Sequence, residues 1–380
     1  MPKASGYSLP EGSSAAGYSL SLALIVRNEE SRLERCLRSF EGQVDEIVVC
    51  DTGSTDRTVE IAEACGARVV HLAWVDDFAA ARNFALEHTT GDWRLMADAD
   101  EWLDRSPESL AALASLRGQV PRFTAQVQIA NASPDGNVVV GWVGRVTPAN
   151  VGYIGVIHEQ IDPALPSQQL PIVLHHDGYA LAADEMAAKS RRNADLLVKA
   201  IGETPDLAMR AYYGFQLAKE HFLSGQWAEA KRGFDEVWTP EVVSQQWAGE
   251  MVRPWLISAA QLDQYEALTL IEQLQPFFER RAEYWYTVAE VLVNLGQRSQ
   301  ESAQLMFPIA FNALQTCFSL GEDSEGGTSA IGVGTFLPAR LMARLLEMSG
   351  QVDEAKKFAE LSERMRAQVL AGTAVEKSVR

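Results

Sequence analysis

Two apolar runs in this chain each end on a cluster of acids: IVVCDTGSTDRT from Ile47, and WRLMADADEWLD from Trp93. Each run is short, continuous and bounded by turn residues, which reads as a buried strand. Strands of this kind, alternating with helices, assemble into parallel sheets, and ligands bind such sheets outside the carboxyl ends of the strands. Asp51, Asp98 and Asp100 are therefore expected along one edge. Asp98 and Asp100 lie two residues apart, so in extended backbone their side chains share a face and can share one hard divalent cation. A cation held there suits a diphosphate.

The flanking sequence supports the alternation. Leu20 to Val26 is a further buried strand, and Leu33, Cys36, Leu37 and Phe40 recur at helical spacing after it. Ser54 or Thr55 with Asp56 reads as the cap of a helix carrying Val59, Ile61, Ala62 and Cys65, which Gly66 ends. Ala67 to Leu72 gives a third strand and Phe78 to Leu86 a third helix, before the strand from Trp93 to Ala97. From Arg122 to about Asp177 the pattern shifts to alternating segments, with Pro134, Asp135 and Gly136 as a hairpin signal. Beyond that nearly everything is helical. Met186 to Ala200 reads as one amphipathic helix, and LAKEHFLSGQWAEAKRGF, AAQLDQYEAL and LLEMSGQVDEAKKF form a weak repeat, with a degenerate unit at LVNLGQRSQESA. These units resemble tetratricopeptide repeats, Ala230 and Phe234 keeping that family's packing offset. The expected division is a flexible N-terminus (1–18), an α/β domain (19–180), a helical repeat domain (181–370) and a flexible C-terminus (371–380).

A formal charge of -18 over 380 residues argues against binding to nucleic acid or an anionic membrane surface, both of which need basic surface. The four cysteines, Cys36, Cys50, Cys65 and Cys317, have no ligand-like spacing and read as reduced core residues. No signal-peptide core precedes the first strand, and no apolar run is long enough to cross a bilayer. The expectation is a cytoplasmic protein without an integral membrane segment. HEQID lacks the second histidine of a zinc protease helix, and GEDSEGGTSAIGVG lacks the Lys and Ser or Thr of a phosphate loop, so it reads as a flexible connection.

IVRNEE (Ile25 to Glu30), VVCDTGSTDRT (Val48 to Thr58), DDFAAARNFAL (Asp76 to Leu86) and GDWRLMADADEWL (Gly91 to Leu103) resemble, in order, the motifs of family 2 glycosyltransferases with the GT-A fold. YIGVIHEQI (Tyr153 to Ile161), HHDGY (His175 to Tyr179) and KSRRNADLL (Lys189 to Leu197) extend the resemblance to a bacterial subgroup with C-terminal helical repeats, which includes enzymes that glycosylate cysteine in secreted peptides. GRVTPAN (Gly144 to Asn150) departs from that subgroup's more basic, aromatic segment.

The resemblance implies a metal-dependent inverting hexosyltransferase: a GT-A nucleotide-diphospho-sugar transferase domain with a mostly parallel sheet, followed by an all-α repeat domain. Its donor is a UDP-sugar and its cofactor Mn²⁺ or Mg²⁺. Asn28, Glu29, Asp51 and Arg82 line the nucleotide site in that reading, with Asp51 accepting a hydrogen bond from the base. Asp98 and Asp100 take the metal, Asp100 directly, and His175 or His176 supplies a further ligand. Glu159 is the expected catalytic base, since a partly desolvated carboxylate suits proton abstraction, with Asp177 in reserve. Blander readings stand beside these. DTGSTD also serves as a turn and cap, Glu159 as a salt-bridge partner of Arg145 or support for His158, and Arg82 as a partner of Asp76 or Asp77. The repeats present a concave surface suited to a peptide or protein acceptor, or to a second copy of the chain. The alternatives are transfer to a glycan or lipid-linked acceptor, and a degenerate scaffold acting through its repeats.

Overall fold

The structure is a computed structural model describing residues 17–132, 138–176, 183–322 and 329–371. The first hundred residues alternate as expected: β1 (Leu20–Val26), α1 (Leu33–Ser39), β2 (Glu46–Asp51), α2 (Thr58–Ala64), β3 (Arg68–His71), α3 (Phe78–Glu87) and β4 (Trp93–Ala97). The four strands are parallel in the order β3-β2-β1-β4. Val26 lies opposite Asp51, and Leu24 opposite Ala97, so the acids that follow β2 and β4 emerge at one edge. Leu22, Leu24, Val48, Val49, Leu95 and Met96 are fully buried, which explains the unbroken apolar runs.

The caps differ in detail from expectation. Asp56 accepts from the Thr58 amide at 3.0 Å at the start of α2, whereas Ser54 and Thr55 turn back to Asn28. Asp77 caps α3 by accepting from the Ala80 amide at 2.8 Å. After β4 come β5 (Glu101–Leu103), α4 (Pro107–Ser115), β6 (Thr124–Ala132), β7 (Val138–Pro148), β8 (Tyr153–Ile154), β9 (Gln160–Ile161) and β10 (Ser167–His176). β6 and β7 pair antiparallel, and the turn signal between them lies outside the described residues. The sheet continues from β4 as β7-β6-β10-β5, with β7 antiparallel to β4 and β5 antiparallel to β10. The result is one sheet, parallel through its first four strands and mixed beyond, consistent with the mostly parallel sheet expected.

The helical region runs α5 (Ala183–Glu203), α6 (Leu207–Leu223), α7 (Trp227–Val237), α8 (Ala248–Leu262), α9 (Gln264–Phe278), α10 (Ala282–Gly296), α11 (Gln300–Leu320), β11 (Ser329–Ala330), α12 (Phe336–Met348) and α13 (Val352–Ala371). Each repeat unit spans the turn of a helix pair: α6 with α7, α8 with α9, α10 with α11, and α12 with α13. Ala230 and Phe234 are fully buried in its core, and a Cβ at Gly233 would sit 2.9 Å from that of Ala218, so α6 and α7 meet closely there. Among the described residues no helix is long and apolar enough to cross a membrane.

The stretch expected to be a flexible connection has a different role. Ser329 and Ala330 form β11, antiparallel to Val140 and Val139 of β7, and Glu283 of α10 accepts from the Ser329 hydroxyl and the Ala330 amide. Residues 323–328 lie outside the described residues. A second junction buries Ile157, Leu196, Leu197 and Tyr213 together, packing α5 and α6 against the segment after β8.

Candidate active site

Glu29, Arg82, Asp98, Asp100, Glu159 and His176 all line one cavity of about 880 Å³ at the carboxyl ends of β1 and β4. Its floor is a cluster of ion pairs. Arg82 Nη2 donates to Asp98 Oδ1 at 2.9 Å, and Arg145 Nη2 donates to Asp98 Oδ2 at 2.6 Å. Arg145 also pairs with Glu101, whose other oxygen accepts from the Asp98 amide at 3.0 Å. Burial would raise Asp98, but the Arg145 and Arg82 guanidiniums overcome it and hold the carboxyl well below the usual range. Burial does raise Glu101, despite Arg145. The DADE turn is thus held by two arginines from outside it, Arg82 of α3 and Arg145 of β7.

Arg82 Nε contacts Glu159 Oε1, so the guanidinium bridges Asp98 and Glu159 rather than pairing with Asp76 or Asp77. Its neighbour Asn83 explains the AARN motif further. The Asn83 amide donates to the Tyr153 carbonyl at 2.9 Å and accepts from the Tyr153 amide at 2.7 Å, fixing β8. A Cβ at position 152 would come within 2.4 Å of Asn83 Oδ1, which accounts for Gly152. The segment carrying Glu159 is held from both sides, by the Phe78 amide donating to the Val156 carbonyl and the Val156 amide donating to the Tyr213 hydroxyl.

The two histidines separate because successive side chains of a strand face opposite ways. His176 Nε2 lies 3.2 Å from Asp100 Oδ2, and its Nδ1 lies 2.6 Å from Asn131 Oδ1. Burial pulls the His176 pKa down, but the hydrogen bond and charge of Asp100 overcome it and the net shift is upward. His175 is turned to the other face, buried 3.4 Å from Asp104 and stacked on Trp102, so it does not join Asp100. Burial and then the Asp100 charge push Glu29 upward, against Arg32 at 3.5 Å.

Two expected nucleotide contacts are otherwise engaged. Asp51 accepts from the Gly53 amide at 3.2 Å and the Ser54 amide at 3.1 Å, and approaches His71 at 3.4 Å. It shapes its own turn and is not among the residues lining the cavity. Asn28, with φ of 57°, accepts from the Thr55 amide while its own amide donates to Ser54 Oγ, stitching the loops after β1 and β2. Asp177 lies outside the described residues.

Five cations of this cavity, Arg27, Arg32, Arg145, Lys189 and Arg192, have no binding role in the sequence reading. Arg145 sits in GRVTPAN, the segment that departs from the resembled subgroup. Lys189 and Arg192 come from α5, both within KSRRNADLL. Their shared face of one helix, three residues apart, was the available signal. Trp74 and Phe78, in edge contact at 4.7 Å, add an aromatic wall.

Comparison with known proteins follows the same line. Residues 21–116 match the model described as glycosyl transferase family 2. That match covers about a quarter of the chain. The SPbeta prophage-derived glycosyltransferase SunS of Bacillus subtilis is 27% identical over 201 residues, covering 49% of this chain and 46% of that protein. A TPR repeat-containing protein of Synechococcus elongatus is 40% identical over 159 residues, covering 41% of this chain and 38% of its own length. The chain thus spans less than half the length of these relatives. Among solved structures, glucosyl-3-phosphoglycerate synthase from Mycobacterium tuberculosis, in complex with Mn²⁺, UDP and phosphoglyceric acid, is 28% identical over 30% of this chain and 44% of that one, with a TM-score of 0.26.

Proposed function

We propose that this glycosyltransferase moves a sugar from a UDP-sugar to a peptide or protein acceptor with inversion at the anomeric carbon. The observation that carries the reading is the convergence of Asp98, Asp100, His176, Arg82 and Glu159 on one cavity at the carboxyl edge of the sheet. Lys189 and Arg192 face the same space and supply positive charge for a diphosphate, and Trp74 and Phe78 an apolar surface for a base.

The donor set fits a hard divalent cation. Asp100 and His176 already face each other at 3.2 Å, and Asn131 orients the ring, as second partners of ligating histidines do. No group of three such side chains forms among the described residues, which leaves positions for phosphate oxygens and water, the usual mode for Mg²⁺. Asp100 and His176 would hold Mn²⁺ or Mg²⁺, whose charge offsets that growing on the departing diphosphate. Asp98, tied to two guanidiniums, serves to position the turn rather than to ligate.

Glu159 is the base in this mechanism. It takes the proton of the acceptor nucleophile as that atom bonds to the anomeric carbon, and the bond to the diphosphate breaks with its electron pair on the leaving oxygen. Glu159 lies on the wall shared with a neighbouring vestibule, so it faces both the donor space and an entry route for an acceptor. Calorimetric titration of UDP and of GDP, each with Mn²⁺ and with EDTA, tests the donor site. UDP binding that needs Mn²⁺ and disappears in Asp100→Ala is expected; absence of nucleotide binding in every condition overturns the reading in favour of a scaffold.

A further inference from the structure

Three cavities follow one another along the seam between the sheet and the helix pairs, each sharing lining residues with the next. The donor cavity shares Val143, Gly144, Glu159 and Tyr212 with a vestibule of about 400 Å³ between β6, β7 and β9 on one side and α6 and α8 on the other. The vestibule shares Glu250 with a cavity of about 680 Å³ deeper among the helices. The three differ in chemistry. Among the described residues the vestibule is lined by no lysine or arginine, but by three acids, Glu159, Asp162 and Glu250. Its remaining polar wall is mainly amide: Gln126 Nε2 donates to Gln246 Oε1 at 2.9 Å, bridging the sheet and the loop before α8, and Gln169 reaches Gln126 at 3.4 Å. Trp142 and Trp247 stand in the same wall. The cavity among the helices has an apolar stretch of wall that includes Phe222, Leu223, Val252, Phe278 and Leu337, beside the charged Lys219, Arg253, Arg281 and Arg340.

We propose that this seam is the acceptor site, and that it selects an extended peptide with a cationic residue beside the modified position and an apolar side chain further along. The proposal rests on the glycosyltransferase reading and deepens it. An anionic acceptor, whether a small phosphate ester or a lipid-linked phosphate, would meet three carboxylates and no cation in the vestibule, which disfavours it. A lysine or arginine meets the opposite: Asp162 stands exposed at the rim, and the carboxylates of Glu159 and Glu250 line the vestibule while their partners, Arg82 and Lys219, lie outside its lining. The glutamine amides offer both donors and acceptors, as an extended backbone requires at every residue. A neutral glycan would also satisfy the amides and the tryptophans, but it has nothing to place against the apolar stretch of wall beyond Glu250, where a leucine or phenylalanine would leave water. The overall charge of -18 favours approach of a basic partner.

The test uses the full chain and fluorescein-labelled peptide pools of about 12 residues, roughly 40 Å when extended. The pools are lysine-rich, uncharged or glutamate-rich, each with and without a leucine or phenylalanine, and binding is read by anisotropy with UDP and Mn²⁺ present. The lysine-rich pool is expected to bind about tenfold more tightly than the glutamate-rich one, the gap closing at high salt. Asp162→Lys should abolish the gap, and Leu223→Glu, at an exposed position, should abolish the preference for the apolar residue; thermal melting checks that both variants fold. Equal binding of the pools, preference for the acidic pool, competition by a maltooligosaccharide or inorganic phosphate, or no binding of any pool overturns the proposal. UDP titration of the unaltered chain fails only if the donor reading itself fails, so the two failures are distinguishable.

Discussion

The sheet end of the molecule and the helical region are built on opposite principles. Around the DADE turn, Arg82, Arg145, Asp98, Glu101 and Glu159 crowd into contact, four of them nearly buried, and their positions are set by charge. In the helix pairs the interior is aromatic and small: Phe215 stacks on Trp247 with centroids 4.8 Å apart, Phe234 approaches Trp255, and Ala218, Ala230 and Ala259 let helices close. A packed apolar core tolerates volume-conserving change, whereas a buried ion cluster fails when one partner is lost. The contrast matches the division of labour proposed above. Chemistry needs fixed charges, and a docking surface needs only a stable shape with variable walls.

That contrast can be broken or sharpened by substitution. The largest effect is expected on turnover: Glu159→Gln should lower transfer by about 10²–10⁴-fold while UDP binding persists, measured by product formation against calorimetry. Normal turnover in that variant removes Glu159 from the role of base. Next, Arg145→Ala leaves Asp98 without one guanidinium and Glu101 without its ion-pair partner, and should cost about 3–5 kcal/mol in denaturant unfolding. A loss near zero would mean that charge does not set this end of the structure. In the helical region, Ala230→Leu should cost about 1–3 kcal/mol by overpacking, with UDP affinity unchanged.

The smallest effect concerns a charge that joins the two regions. Glu220 of α6 accepts from Ser190 at 2.6 Å and Asn193 at 2.9 Å, and faces His158 at 3.8 Å. Burial would raise its carboxyl, but His158, Ser190 and Asn193 together bring it below its ordinary value of 4.5. A carboxylate depressed in the folded state stabilises it above that value, and the contribution fades as pH falls below it. Glu220→Gln should therefore lower stability by about 1–2 kcal/mol at neutral pH and flatten the loss between neutral pH and the acid limb. A variant whose acid limb matches the unaltered chain would sever Glu220 from this role.

The four strand-and-helix steps were legible because each apolar run is long enough to carry a period, and the helix pairs because Ala230 and Phe234 repeat a packing offset. The placing of Asp98 and Asp100 at the sheet edge followed from where β4 ends, whereas Arg82, on α3, came from the resemblance. Other features depend on facts a sequence does not hold. HHD names two histidines, but which of them faces Asp100 depends on the register of β10 against β5, where His176 falls opposite Glu101. Arg145 reads as one more residue of an alternating strand until the pairing of β7 with β4 places it beside the DADE turn. Ser54 and Thr55 have the composition of helix caps, yet Asn28 competes for them from another loop. A strand of two residues, such as β11, is too short to carry any pattern.

That short strand ties the order of synthesis to the safety of the sheet. β7 pairs with β4 only at its far end, Val146 to Pro148, and β11 covers Val139 and Val140 nearer its start. Its covering arrives after α6 to α11 have been made, so a nascent or truncated chain ending before Ser329 presents uncovered strand backbone there. Uncovered strand backbone templates pairing between chains. The late segment of the helical region thus covers strand backbone that the rest of the sheet leaves unpaired at Val139 and Val140 on that side.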